Sequence, residues 1–188
     1  MTSWIAMIGS AVIGSLLLMS FLRYGNEVTR DAYLNTLEHV AYQNLADATD
    51  AIEYELSLIG AGVNDPSIYP ILSADSSEIT FCWDPNVTGT IDTVKYHLST
   101  TAALSATENP NDRFLYRTVN GGSPVVLAAG LTEFKIRYFN SMGYETSTLS
   151  AIRIIEFEMA TESSFNFDAN YSRLVWHGKV TPPNLYGK

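Results

Sequence analysis

Three histidines, one cysteine and the spacing of the acidic residues are what this chain offers for proton transfer, metal ligation or nucleophilic attack. His39, His97 and His177 lie far apart, each alone on a different predicted element, and no H-x-x-x-H, C-x-x-C, G-x-S-x-G or phosphate-loop spacing occurs. The acid pairs Glu53/Glu55 and Glu156/Glu158 have spacings that fit a solvated helix face and the outer face of a strand, where nothing would tune a carboxyl for general acid catalysis. Cys82 has no second cysteine to pair with, and its setting in Ile79-Thr-Phe-Cys-Trp83 makes it a small buried apolar residue. One stretch resembles a calcium loop: Asp84, Asn86, Thr88 and Asp92 place oxygen side chains near a central Gly89. The twelfth position, where a bidentate carboxylate belongs, is Lys95, so a plain hairpin connection is the default reading. Asn86-Val-Thr88 and Asn170-Tyr-Ser172 match the N-glycosylation pattern, which is meaningful only in a host that glycosylates exported chains. The expectation is therefore no catalytic residue, no metal and no cofactor.

The elements that must position these residues point to another kind of protein. Trp4 to Leu22 is an uncharged apolar run, and as a helix it would be about 28 Å long, close to the ~30 Å hydrocarbon thickness of a bilayer. From Tyr24 to Ile59 no Pro interrupts a helical period, so a single rod on the order of 85 Å long is expected. Its second part carries a narrow stripe at Leu34, Leu37, Ala41, Leu45, Ala48, Ile52, Leu56 and Ile59, spaced three or four apart, which should pack against a sheet or helix. Gly60-Ala-Gly62 and then Asn64-Asp-Pro66 should end the helix. The N-terminus does not read as a cleaved signal peptide: no basic residue precedes Trp4, no small-x-small site follows, and the apolar run continues into amphipathic helix. The expected explanation for the missing basic flank is a processed form that has lost a short leader.

After Pro70 the period changes from helical to alternating. Strands are expected at Glu78–Trp83, Thr93–Leu98, Arg113–Val119, Val125–Ala128, Thr132–Phe139, Ala151–Thr161 and Arg173–Thr181. Phe134, Ile136 and Tyr138 alternate with Glu133, Lys135 and Arg137, the pattern of an antiparallel sheet with one wet face. The doublet Ile154-Ile155 predicts a bulge, Asn120-Gly121-Gly122 a hairpin turn and Met142-Gly143 another. Residues 101–111 should form a loop. The aromatics Phe165, Phe167, Tyr171, Trp176 and Tyr186 should pack the sheet onto the helix, with some left for contacts between subunits. The fold class is α+β, with an N-terminal helix over residues 1–62 (4–22 in a membrane or filament core, 23–60 amphipathic) and a β-rich head over 63–188.

Charge narrows the partners. With 20 Asp+Glu against 11 Lys+Arg, the formal net charge is −9. A nucleic-acid surface needs clustered Lys and Arg, and only Arg23 and Arg30 lie near the apolar run, too few for an anionic-lipid patch.

The order and texture of these segments resemble the type IV pilin and pseudopilin superfamily, in particular its larger minor pseudopilins. Met1-Thr2-Ser3-Trp4-Ile5 sits in register with that family's mature start, and Gly14 falls where its helix commonly loosens on assembly. In the head, Glu78–Trp83, Leu115-Tyr-Arg117, Gly130–Phe134 followed by Arg137-Tyr138, and Pro183-Asn-Leu185 look like that branch's strand sequence. One departure stands out: the family places Glu fifth, and here that residue is Ile5. In relatives the carboxylate neutralises a neighbour's terminal amine inside an apolar core.

The resemblance implies a structural subunit of an extracellular or cell-envelope filament, membrane-borne before assembly and served by an inner-membrane assembly machine, with Met1 methylated. The assembly helix would present Met1, Ile5, Ile8, Gly9, Val12, Ile13, Gly14, Leu16 and Leu17 to copies of itself, while the portion from about Thr29 onward would be soluble and monomeric alone. Two rivals stand beside it. A minor tip or initiator pseudopilin would explain Ile5, and a singly anchored β-domain binding module would use the helix only as an anchor.

Overall fold

The computed structural model describes residues 2–107, 109–167 and 170–186; the side chains of 2, 37, 38, 41, 163–167 and 170–172 lie outside the description. A helix, α1 (Thr2–Ser57), is followed by seven strands: β1 (Ile71–Ala74), β2 (Glu78–Trp83), β3 (Asp92–Leu98), β4 (Arg113–Val119), β5 (Val125–Phe139), β6 (Ile154–Phe167) and β7 (Asn170–Val180). The chain divides into two compact units, residues 1–40 and residues 41–188, so the division falls within the helix. The architecture is α+β: a long N-terminal helix and then an antiparallel sheet.

In the second unit every strand pairs antiparallel with the next, in the order β1-β2-β3-β4-β5-β6-β7. The sheet curls, so the turn after β1 meets β5: Ile136 N–H donates to the Ser76 carbonyl at 2.8 Å, and the Tyr138 hydroxyl donates to the Asp75 carbonyl at 2.9 Å. Ile79, Phe81, Val94, Tyr96, Leu115, Phe134, Ile136, Ile155, Phe157 and Met159 form the core side. Onto them the helix brings Leu45, Ala48, Ile52 and Leu56, and the turn after it brings Ile59, all fully buried. Thr49 shares this face, its hydroxyl satisfied by the Leu45 carbonyl at 2.8 Å. Leu34 is half-buried in the first unit, and the side chains of Leu37 and Ala41 lie outside the described residues.

One polar clasp lies within this helix–sheet layer. Tyr96 and Arg117 are direct cross-strand partners on β3 and β4. The Tyr96 hydroxyl donates to the Glu55 carboxylate, and Arg117 donates to it through Nε at 2.9 Å and a terminal nitrogen at 2.8 Å. Glu55 is thus not on a solvated helix face, as its spacing from Glu53 had predicted. It lies one residue from Leu56, and the two strands supply its donors. Burial, followed by the Glu55 hydrogen bond, pushes the Tyr96 hydroxyl far above its ordinary range.

The helix stop is as expected. Gly60 and Gly62 adopt φ values of +77° and +71°, and a Cβ on Gly62 would stand 2.2 Å from the Asp84 carbonyl oxygen. Asn120 (φ +51°) and Gly121 (φ +65°) make the type I′ turn after β4, closed by Gly122 N–H to the Val119 carbonyl at 2.9 Å.

Four local expectations are corrected. β1 was not anticipated: it is four residues long, entered from Pro70, and too short to show alternation. Val125–Ala128 and Thr132–Phe139 are one strand, because Gly130 (φ +79°) is accommodated as a bulge opposite β4, between the pairs Arg113↔Leu131 and Phe114↔Ala129. The β6 bulge expected at Ile154-Ile155 is absent. These residues pair regularly with Phe139 and Tyr138, and the register shift lies instead between Leu131 and Glu133. Ala151 belongs to a short 3₁₀ turn, Leu149–Ala151, and another, Thr101–Leu104, opens the expected loop.

Replacing Glu55 with Ala strands the Tyr96 hydroxyl and the Arg117 guanidinium, and should lower unfolding free energy by about 2–3 kcal/mol. Asp50→Ala, on the exposed helix surface, should change it by less than about 0.5 kcal/mol. Urea unfolding followed by near-ultraviolet circular dichroism measures both; equal effects would contradict the clasp.

Candidate functional site

The sequence pattern offered two candidate sites, the Asp84 loop and the apolar helix. In the loop the Asp84 carboxylate is already occupied. One oxygen accepts from Thr88 N–H at 3.0 Å and the other from Gly89 N–H at 2.7 Å. Asp92 accepts from Asn120 Nδ2 at 2.7 Å, on the neighbouring hairpin, while Asn86 and Thr88 are exposed. The arrangement is a carboxylate cap on a tight turn that also places the strained Val87 (φ +52°). Burial raises the Asp84 pKa, but the hydrogen bonds from Thr88, Gly89 and Val87 outweigh it and hold the carboxyl below its ordinary value.

The histidines are not brought together. His39 is exposed on α1, His177 on β7 stands 3.6 Å from Glu158, and His97 on β3 tilts against the Tyr116 ring at 5.6 Å. Burial and then Lys95 depress the His97 pKa, against a smaller opposing pull from Glu78. Glu156 and Glu158 lie on the outer face, within a ladder of ion pairs to Arg137, Lys179 and Arg173. Such exposed pairs contribute little individually. Among the described residues no three His, Cys, Asp or Glu side chains gather to hold a metal. Cys82 is buried on β2. Trp176 is half-buried against the core and Tyr186 is exposed, whereas the side chains of Phe165, Phe167, Tyr171 and the Asn170-Tyr-Ser172 sequon lie outside the described residues.

The apolar helix is different. Ser3–Thr36 is long and apolar enough to cross a membrane, and none of its apolar window is buried among the described residues. Ile5, Ile8, Val12, Ile13, Leu16 and Leu17 are all more than half exposed, as are Trp4 and Phe21; Met1 lies outside the described residues. Between Trp4 and Leu22, twelve large apolar side chains stand uncovered. Leaving them in water would cost on the order of 20 kcal/mol at ~1.5–3 kcal/mol each. That exceeds the roughly 5–15 kcal/mol net stability of an ordinary domain, so this surface needs lipid or protein around it. Two hydroxyls on it are internally satisfied: Ser10 donates to the Met7 carbonyl at 2.9 Å and Ser15 to the Val12 carbonyl at 2.8 Å. A helix in an apolar surround requires this.

The order of elements, a long apolar helix and then a β-sheet head, is pilin-like in general terms. No family model matches the chain, and no curated protein matches it in sequence.

Gly9 and Gly14 add a second observation. A Cβ built on either would meet nothing within 4 Å, so no contact among the described residues requires glycine there. Each costs about 1 kcal/mol of helix stability relative to Ala. Intrachain packing gives no reason for them; close approach by another helix would.

Because the Asp84 pKa is lowered on folding, its contribution to stability is complete above the ordinary carboxylate range near 3.9 and is lost as pH falls through the native value. Asp84→Asn turns an amide NH₂ toward one of the two backbone donors. It should lower the urea midpoint at pH 7, with the difference from the parent shrinking toward pH 2. A pH series of urea midpoints checks this; a constant difference down to pH 2 would contradict it.

Proposed function

We propose that this protein is a structural subunit that polymerises through its N-terminal helix into an extracellular or cell-envelope filament of the type IV pilus or pseudopilus kind. The observation carrying this reading is the uncovered apolar helix that also holds glycines its own chain does not need. In this reading the unassembled subunit resides in the inner membrane with residues 4–22 in lipid. Assembly exchanges lipid contacts of Ile8, Ile13, Leu16 and Leu17 for contacts with copies of the same helix. In lipid, apolar attraction between helices gives no net drive, so close packing at small residues must supply it. Gly9, Ser10, Ala11, Gly14 and Ser15 are the small residues available.

Ile5 gives the tip or initiator reading its support. Where relatives carry a carboxylate for a neighbour's amine, this chain has an apolar side chain, which suits a position with no such neighbour. Nothing in the site's chemistry supports an enzyme, and the anchored binding module has no geometry of its own to support it. The roles of Met1 methylation and of an assembly machine follow from the filament reading and stand with it.

Gly14→Leu, or a lysine at Val12, should abolish filaments while leaving the folded second unit unchanged. Negative-stain microscopy of sheared surface material and circular dichroism of the purified chain read the two effects. Normal filaments from either variant would overturn this mode of helix packing, whereas a monomer in detergent that tolerates any apolar helix in place of residues 4–22 would favour the anchored module.

A further inference from the structure

The outer face of β5–β7 is more than a flat ladder of charges. Lys135, Glu158 and His177 form one cross-strand row and Arg137, Glu156 and Lys179 the next, and the two rows line a trough of about 300 Å³. The carboxylates lie low in it. The side chains of Glu156 and Glu158 are 26 % and 28 % exposed, whereas those of Lys135, Arg137, His177 and Lys179 are 59 % to 70 % exposed. The Glu156 carboxylate serves both Arg137 at 3.2 Å and Lys179 at 2.8 Å, so each of these cations keeps donors to spare. Three fixed cations against two carboxylates leave the trough short of negative charge, on a chain whose formal net charge is −9.

The second unit carries the complementary surface on its other side. Phe157, between the two outward glutamates of β6, points into the core that α1 covers. From Ala41 to Ser57 the helix holds Asp47, Asp50, Glu53 and Glu55 and no Lys or Arg. Glu55 is taken by Tyr96 and Arg117. Asp47 and Asp50 are exposed on the side of the helix away from Ile52 and Leu56, and the 65 % exposed Tyr54 stands between them around the axis. No ion pair reaches either aspartate among the described residues. The sheet lies between crest and trough, so the two surfaces do not meet within one chain.

We propose that this exposed crest of α1, Asp47 and Asp50 with Tyr54, docks in the trough between Lys135 and Lys179 of a second copy of the chain. The two aspartates supply the negative charge that the trough lacks, and the Tyr54 ring offers a face to the Arg137 guanidinium. Crest and trough are different surfaces, so the contact is heterologous: docking uses one surface of each copy and leaves the other open for the next. A contact of that kind propagates. The inference rests on the filament reading and adds to it a contact between second units, beside the one between apolar helices. Charge sets the orientation here, so the contact weakens with salt.

The test uses the full chain in a neutral detergent, as an equal mixture of ¹⁴N- and ¹⁵N-labelled copies, treated with a carbodiimide that bonds a carboxylate to an amine in contact with it. Peptide mass spectrometry should find Asp47 or Asp50 joined to Lys135 or Lys179 in mixed-isotope pairs. Their yield should fall at least about fivefold between roughly 0.02 M and 0.5 M NaCl, as the Debye length drops from about 20 Å to about 4 Å. In sedimentation at low salt, Arg137→Glu with Lys179→Glu should remove the salt-sensitive multimers, and adding Asp47→Lys with Asp50→Lys to the same chain should restore them. That rescue separates docking from a merely structural role of these charges. Multimers joined through the apolar helix, with no bond between these aspartates and these lysines, would overturn the docking and leave the filament reading standing. Bonds found only within single-isotope pairs, or a charge swap without rescue, would overturn it as well. A chain that stays monomeric at low salt, its apolar helices also without contact to one another, would remove both readings.

Discussion

An apolar helical surface that its own chain leaves bare governs how this protein must live. The exposure from Trp4 to Leu22 is too large to be tolerated in water, and the Ser10 and Ser15 hydroxyls are turned onto helix carbonyls, as suits an apolar surround. Two environments satisfy it, lipid and the helices of other subunits. In the filament reading, the glycines at positions 9 and 14, which no contact among the described residues requires, would admit close approach by another helix.

The same helix changes role along its length. Over residues 45–59 its apolar positions are buried completely by the curled sheet, and an ion-pair clasp at Glu55 joins it to β3 and β4. An isolated helix–sheet layer of aliphatic side chains tolerates sliding by a turn; a carboxylate met by both Tyr96 and Arg117 does not, since any shift leaves charged and polar groups buried without partners. On the far side of β5–β7, by contrast, the charges are exposed and mutually paired, which keeps that face wet and soluble.

Much of this was legible in the residues. The three-to-four spacing from Leu45 to Ile59 announces the buried stripe, and the positive-φ glycines at 60, 62 and 121 sit where turn chemistry requires them. Thr49 escaped notice because a hydroxyl breaks an apolar pattern, although back-bonding to Leu45 makes it neutral in the core. Glu55 escaped because periodicity along one helix carries no information about the strands opposite. Gly130 resembled a strand break because Gly commonly ends strands, and only pairing with β4 shows it as a bulge inside β5. The Asp84 loop had the composition of a metal site, yet its geometry gives the carboxylate to backbone N–H groups.

Contact between copies of the apolar helix is the claim on which the functional account rests, and cross-linking reads it most directly. A photo-reactive benzoyl-phenylalanine at Ile13, irradiated in cell-surface material, should yield a ladder of dimers and higher multimers joined through that position. Adducts to lipid alone, with the chain remaining monomeric, would contradict the account.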